Sequence, residues 1–340
     1  MKHSVIGMDI AKQVFQLHSV DAETGEVERT KLRRDEVLSH FARRAPALVA
    51  IEACGSAHWW ARKLLKLGHD VRLLPPRNVR PFVLRNKTDA ADARAIWTAV
   101  QQPDVHFVAV KSETQQAILA LHRLRAQLLK FRIMQTNALR GLLYEFGEVL
   151  PTGYAALAKA LPAALAGLDA RLPAMLVDSL REQWTRVLST DKEIAAIERR
   201  LALILRDTPS CQAVAEIPGV GLLTATAAVA SIGEASTFKS GREFAAWLGL
   251  VPRQRGTGGR VRQLGISKRG DVYLRTLLMH GARAVILRHR HVPWLDALLK
   301  RRPYNVVVAA VANKLARTIW AVLAKGKPYD PAAFSAVAAT

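Results

Sequence analysis

Cysteine is nearly missing from this 340-residue chain, which holds only Cys54 and Cys211. Two thiols cannot build a disulfide framework or a cysteine-rich zinc site, and they suit a reducing compartment. Acid is also scarce: 28 Asp and Glu face 50 Lys and Arg, a formal charge of +22. A uniformly cationic surface repels itself in the compact state, so a polyanionic partner that neutralises it is the expected reason for it. Uninterrupted apolar runs are lacking too. Asp9 and Lys12 break the N-terminal stretch, which excludes a signal peptide there. Val306–Ala324 approaches spanning length but carries Asn313, Lys314 and Arg317, so it reads as a buried helix and not a membrane segment. These absences describe a cytoplasmic chain without a membrane partner.

What is present is ordinary globular material, with half the residues hydrophobic and 23% charged. The length suits roughly two domains. Along the first hundred residues strand and helix signals alternate. Val5–Ile10, Val14–Val20 and Val27–Leu32 read as strands, with Asp21-Ala22-Glu23-Thr24-Gly25 as a turn between the last two. A helix over Glu36–Arg44 precedes a strand at Leu48–Ala53. A helix over Trp59–Leu67 precedes a strand at Val71–Leu74, which Pro75-Pro76 stops. Thr88–Gln101 reads as a helix with Thr88 as N-cap. Three meandering strands followed by alternating helices and strands make a mixed α/β sheet.

A helical section follows. Leu121, Leu124, Leu128, Phe131, Gln135, Ala138 and Leu142 keep a 3–4 spacing, as do Leu180, Gln183, Val187, Thr190, Ile194, Ile197, Leu201 and Ile204. Pro151, Gly153, Pro162, Gly167 and Pro173 break the connection. The pattern fits an antiparallel arm or a dimerising coiled coil, and equally two amphipathic helices on a domain core. Beyond Pro209 come the turn Ile217–Gly221, a basic, glycine-rich loop at Arg253–Arg269, and helices at Val272–Arg288 and Val306–Lys325.

Four acids stand out. Asp9 ends the first strand and Glu52 ends the fourth, after the apolar Leu48–Ile51, where an uncompensated charge costs several kcal/mol. Asp89 and Asp92, three apart, share one helix face. Cleavage of a phosphodiester by two metal ions requires several carboxylates converging on one spot, and all-oxygen coordination selects Mg²⁺ or Mn²⁺. The bland reading of Asp89 is a first-turn acid favoured by the helix dipole, and of Asp92 a solvated side chain.

Here the blocks become recognisable. Gly7-Met8-Asp9-Ile10-Ala11-Lys12, Ile51-Glu52-Ala53-Cys54-Gly55 and Asn86-Lys87-Thr88-Asp89-Ala90-Ala91-Asp92-Ala93 resemble the signatures of the DEDD transposases of insertion-sequence family 110, above all its 1111 subgroup. Ile217-Pro218-Gly219-Val220-Gly221, Trp247-Leu248-Gly249-Leu250-Val251-Pro252 and Gly265-Ile266-Ser267-Lys268-Arg269-Gly270-Asp271 resemble the family's C-terminal transposase domain. The resemblance implies a RuvC-like, ribonuclease-H-like domain over 1–112, a coiled-coil section over 113–206 and a transposase domain over 207–330. It implies Mg²⁺ on Asp9, Glu52, Asp89 and Asp92, and a hydroxyl residue that attacks DNA covalently. It further implies donor and target DNA as substrates, a structured bridge RNA as guide, and homodimers pairing into tetramers with shared active sites. Such a protein would work in the cytoplasm, at the nucleoid.

The family's nucleophile is a serine just before a glycine, and the matching position here is Thr257. Threonine offers the same hydroxyl, with χ1 restricted by its β-methyl. Ser267, ten residues on, is the other candidate, with Thr257 then only binding a phosphate. From Arg253 to Arg302 there are 13 Lys or Arg and two acids, Asp271 and Asp296, half of the chain's net charge. Arg253, Arg255, Arg260, Arg262, Lys268 and Arg269 are the expected phosphate contacts. Gly219 and Gly221 belong to a turn resembling a helix-hairpin-helix, suited to a phosphate or to tight packing of two helices. His280, His289 and His291 read as phosphate or surface contacts. Of Trp59 and Trp60, at least one belongs in the core. Two other functions fit the same acids and charge: a RuvC-like junction resolvase with water as nucleophile, and a non-enzymatic nucleic-acid-binding protein.

Overall fold

The structure is a computed structural model and describes residues 4–21, 23–83, 88–103, 105–289 and 292–332. Ala22, Asn86, Lys87 and His291 lie outside the described residues. The chain divides into two compact units, Met1–Gln116 with Ile232–Thr237, and Ala117–Ser231 with Phe238–Thr340.

The first unit is a mixed five-stranded sheet with helices on both faces. Its elements are β1 (Val5–Ile10), β2 (Val14–Val20), β3 (Val27–Arg33), α1 (Val37–Ala42), β4 (Leu48–Glu52), α2 (Ala57–Lys66), β5 (Asp70–Leu74), α3 (Pro76–Val79) and α4 (Asp89–Val100). The strand order is β3-β2-β1-β4-β5, the first three antiparallel and β4 and β5 parallel to β1. Period-two alternation assigns the faces. Ile6, Met8, Phe15, Leu17, Val49 and Ile51 point to the side covered by Trp60, Ala61 and Leu64 of α2. Ala50 and Leu74 point to the other side, under Ala95, Ile96 and Ala99 of α4. Trp60 is fully buried edge-on to Phe15, whereas Trp59 is exposed, which settles the tryptophan pair.

Among its described residues the second unit is helical apart from one hairpin. It contains α5 (Glu113–Glu145, whose first turn lies in the other unit), α6 (Tyr154–Leu168), α7 (Ala174–Asp207), α8 (Pro209–Ala215), α9 (Leu222–Ile232), α10 (Gly241–Trp247), β6 (Pro252–Thr257), β7 (Arg260–Ile266), α11 (Val272–Arg288), α12 (Pro293–Arg301) and α13 (Tyr304–Lys325). α5 and α7 run antiparallel, tied by the ion pairs Arg125–Glu198 and Arg132–Asp191. On α7 the expected seam is the buried one: Leu180, Val187, Ile194, Ile197 and Leu201. On α5, Leu121 and Leu128 of the expected seam pack half-buried against Ile118, Ile197 and Leu201, but the fully buried positions are others. Ile118, His122, Thr136, Leu139 and Leu143 go inside, while Leu124, Phe131 and Leu142 of the expected seam stay exposed.

Two further expectations are corrected. The proline-broken connection between the arms contains α6, because Leu157, Leu161, Leu165 and Leu168 form a helical stripe packed on Leu139, Leu143, Val177 and Leu180. Pro162 inside it removes one backbone hydrogen bond without ending the helix. The basic loop at Arg253–Arg269 is mostly the antiparallel pair β6–β7, closed by Gly258-Gly259 at φ +54° and +76°. Those dihedrals suit a two-residue type I′ turn, whose twist matches the strands.

α13 is long and apolar enough to cross a membrane by length and composition. Its stripe Val307, Val311, Leu315 and Ile319 is fully buried, and the helix packs against α8, α10, α11 and α12. It is a core helix, as the interrupting Asn313, Lys314 and Arg317 implied.

Candidate active site

In the first unit, strand register brings the acids together. Met8 of β1 pairs with Ile51 of β4, so Asp9 and Glu52 follow one residue later on adjacent parallel strands. Met8 and Ile51 face α2, and the pleat therefore turns Asp9 and Glu52 to the face covered by α4. Gly7 shares that face, two residues before Asp9. A Cβ at Gly7 would lie 2.3 Å from the Ala93 carbonyl oxygen and 2.6 Å from the Trp97 amide nitrogen. Only a missing side chain lets α4 rest on the strand backbone this closely. The helix then runs along β1 with its first turn at the Asp9 end. Thr88 fixes where that turn begins, its Oγ1 accepting a hydrogen bond of 3.2 Å from the Ala91 amide.

As a result, carboxylate oxygens of Asp9, Asp89 and Asp92 all lie within 4.8 Å of one another. Asp9 and Asp92 are half-buried and Asp89 is exposed. Glu52 is outside this trio but close enough to act on Asp9. Burial pushes the Asp9 carboxyl up to about 6, with Asp92, Asp89 and Glu52 adding repulsion and the Ile10 amide partly opposing it. Concentrating negative charge on a half-buried group is unfavourable unless a cation joins it. Hard oxygen donors at this spacing suit a divalent ion of the Mg²⁺, Mn²⁺ or Ca²⁺ type. Burial, then the charges of Glu52 and Asp9, also push the nearby Cys54 thiol up.

In the second unit, Thr257 is the last residue of β6 and pairs with Arg260 across the Gly258-Gly259 turn. Arg255 pairs with Arg262, so Arg255, Thr257, Arg260 and Arg262 share one hairpin face. All four are exposed, as is Arg253 near the strand start. Ser267 sits at the opposite end of the hairpin. Its amide donates to the Val251 carbonyl and its Oγ accepts from the Arg269 amide. Lys268 and Arg269 are exposed at the same end, Lys268 at φ +55°.

The hairpin root is a knot that residue spacing alone did not reveal. Gly270, at φ +79°, lies against the Trp247 carbonyl, where a Cβ would come within 1.8 Å. Arg275, buried on α11, donates from Nη1 to the carbonyls of Leu248 and Arg269, 2.8 Å each, and so fastens the two segments together. The Ile217–Gly221 turn divides between its two readings. Gly219 (φ +83°) is pressed on α11, a Cβ there meeting Gly281 and Val285, so packing accounts for it. Gly221 is exposed at the start of α9 with open space around its Cα. His280 is exposed on α11 and His289 is half-buried at its end.

Gly7 and Arg275 were missed as site-building residues. A glycine inside a strand is a known sign of close backbone approach, so Gly7 could have been found. Arg275 carried no such signal, since its partners are carbonyls known only from packing.

Known proteins are similar to this chain in sequence. Residues 6–147 match the DEDD transposase model of IS110 type, and residues 211–300 match the model described as the transposase IS116/IS110/IS902 family. The chain is 47% identical to a probable family 20 transposase of Pseudomonas aeruginosa, over 97% of this chain and 100% of that protein. It is 40% identical to the transposase for insertion sequence element IS1111A of Coxiella burnetii, over 96% and 91%. Identity to the transposase for insertion sequence element IS1328 of Yersinia enterocolitica is 38%, over 96% and 98%. With both halves matched in order and relatives aligned end to end, the chain belongs to the IS116/IS110/IS902 transposase family and is a DNA transposase, an enzyme of mobile-element recombination.

Proposed function

We propose that this transposase is a Mg²⁺-dependent strand-transfer enzyme of ribonuclease-H-like type, with Asp9, Glu52, Asp89 and Asp92 as its metal ligands and Thr257 as its nucleophile. The observation that carries the reading is the approach of Asp9, Asp89 and Asp92 to within 4.8 Å. The mixed strand order β3-β2-β1-β4-β5 supports the fold assignment. A pair of bound Mg²⁺ ions would polarise the scissile phosphate and lower the pKa of an attacking hydroxyl.

The residues themselves have distinct tasks. Asp9 and Glu52, on adjacent strands, are the rigid part of the ligand set, and Asp89 and Asp92 complete it from one helical turn. Arg255, Arg260 and Arg262 hold the DNA phosphate against the hairpin face that presents the Thr257 hydroxyl; Arg253, Lys268 and Arg269 extend the contact toward its root, with Gly221 as a further backbone contact. Thr257 Oγ1 gives up its proton and forms a new ester bond to phosphorus. A deoxyribose oxygen leaves and takes up a proton, so the strand end stays attached to the protein until exchange. Thr257 is favoured over Ser267 because it stands at the exposed tip among arginines, whereas Ser267 Oγ is engaged at the root.

The same reading includes a structured bridge RNA as guide, as the family resemblance implies, and dimers pairing into tetramers. Exposed Leu124 and Phe131, seven residues apart on α5, support a coiled-coil contact between copies. The enzyme would act in the cytoplasm, at the nucleoid. The test is strand exchange on element-end DNA with Mg²⁺ present, run beside a trap for covalent protein–DNA adducts. Asp89→Ala and Asp92→Ala should abolish exchange while DNA binding persists. Thr257→Ala should lose the adduct and Thr257→Ser should keep it. An adduct that survives Thr257→Ala moves the nucleophile to Ser267. Cleavage without any adduct would replace this reading with a water-using junction resolvase.

A further inference from the structure

A cleft of about 900 Å³ opens in the second unit between the start of α10, α12, α13 and the segment 327–330 that follows it. That size is in the range that envelops a small organic ligand. Three half-buried aromatic side chains line it: Trp294 of α12, Trp320 of α13, and Tyr329. Arg242, Lys314, Arg317, Lys325 and Lys327 also line it, against the single carboxylate Asp330 among its described lining residues. The Lys314 ammonium stands 4.4 Å from the centre of the Trp294 ring. Burial, then Arg317, hold Lys314 below the ordinary lysine range.

A purely apolar ligand has no use for five cations, and a bare phosphate has no use for three aromatic rings. Flat rings flanked by cations match a nucleobase joined to phosphodiesters. A base can offer its face to such rings only when it is out of a duplex stack. We propose that this cleft binds an unpaired nucleotide of a single-stranded nucleic acid, stacking the base on the aromatic residues and pairing flanking phosphates with the lysines and arginines. It is a site separate from the basic hairpin, and it rests on the transposase reading only in that nucleic acid is the substrate class.

The test is fluorescence anisotropy with full-length protein and labelled 12-nucleotide oligo-dT, oligo-rU and a 12-base-pair duplex. Trp320→Leu, which keeps an apolar filler without a ring, should weaken single-strand binding roughly 5- to 100-fold and leave duplex binding unchanged. Trp320→Phe should retain most of the affinity. Lys325→Glu with Lys327→Glu, at exposed positions, should weaken single-strand binding as well. The dT and rU arms tell whether DNA or RNA is the preferred source. Ultraviolet crosslinking of a 5-bromouracil oligonucleotide should map to residues 294–329. Single-strand binding unchanged in both Trp320→Leu and the double lysine variant, an equal loss for duplex, or crosslinks only elsewhere would overturn the proposal. Asp89→Ala should bind single strands normally, so loss of the metal reading and loss of this site are told apart.

Discussion

Arg255 and Arg262 stand directly opposite each other across the β6–β7 pair, two guanidiniums placed where a sheet ordinarily sets opposite charges or apolar partners. The arrangement opposes hairpin stability in the free protein and favours it once a phosphate lies between them.

Replacing either arginine should therefore act in two directions. Arg255→Ala or Arg262→Ala should relieve about 0.2–1 kcal/mol of cross-strand repulsion in the free protein. Each should also weaken duplex DNA binding and reduce the slope of log affinity against log salt by about 0.9. Salt titrations of binding check this, and an unchanged slope in both variants would remove these residues from the phosphate contact.

Gly7→Ala should be damaging out of proportion to one methyl group. The new Cβ meets helix backbone, not a side chain that can rotate away, so α4 must shift. Overpacking of this kind costs about 1–3 kcal/mol. Because Asp89 and Asp92 ride on α4, strand exchange should fall further than stability does. Thermal melting beside an exchange assay separates the two, and a variant that melts low but exchanges normally would refute the placement of α4 as the carrier of the site.

Asp9 makes the metal-free protein sensitive to pH in a definite sense. Its folded carboxyl titrates at about 6, against 3.8 for the unperturbed group. The folded state thus binds this proton more tightly than the unfolded chain. The associated stability is full below the lower value and is lost as pH rises through the upper one. Asp9→Asn should melt higher than the natural protein at pH 7 in EDTA, with the gap closing toward pH 4. Mg²⁺ should raise the melting temperature of the natural protein at pH 7 and do little for Asp9→Asn. Equal Mg²⁺ shifts in both would place the ion elsewhere.

Leu124→Asp with Phe131→Asp should lower the oligomeric state without unfolding the monomer, since both side chains are exposed in the single chain. Light scattering after size-exclusion chromatography measures it. An unaltered mass would exclude this face of α5 as a contact between copies.

How much of the fold is legible in the sequence depends largely on whether a segment buries one clean face. β1, β2, β4 and β5 each carry core residues, and apolar runs with turn residues between them marked each one. Thr88 announced α4 because its capping role needs only local chemistry, and the i, i+3 acids followed. The β6–β7 hairpin escaped, as all of β6 and most of β7 are exposed and no alternation exists to read. Gly258-Gly259 was the remaining signal. The buried face of α5 is only partly legible because it includes His122 and Thr136, which apolar spacing does not mark. His122 is held there by hydrogen-bond contacts of 3.0 Å with Tyr273 Oη and Thr226 Oγ1, and that burial keeps it neutral, pushed down to about 4. The convergence of the acids is the least legible part. It depends on a register between β1 and β4 and on a glycine under a helix, neither of which can be seen from the spacing of the acids themselves.

The clasp of Arg275 on Leu248 and Arg269 has a mechanical consequence. A lone two-stranded hairpin holds its shape only marginally in water, and this one has no core of its own. Fastened at its root to α11 and exposed along β6, it is expected to be stiffer at the root than at the tip. Were a DNA strand held at the tip, as proposed, tension on it would pass through that root into the helical body. Slow hydrogen exchange at the Ser267 and Lys268 amides beside fast exchange along β6 would be the signature of such a sprung finger.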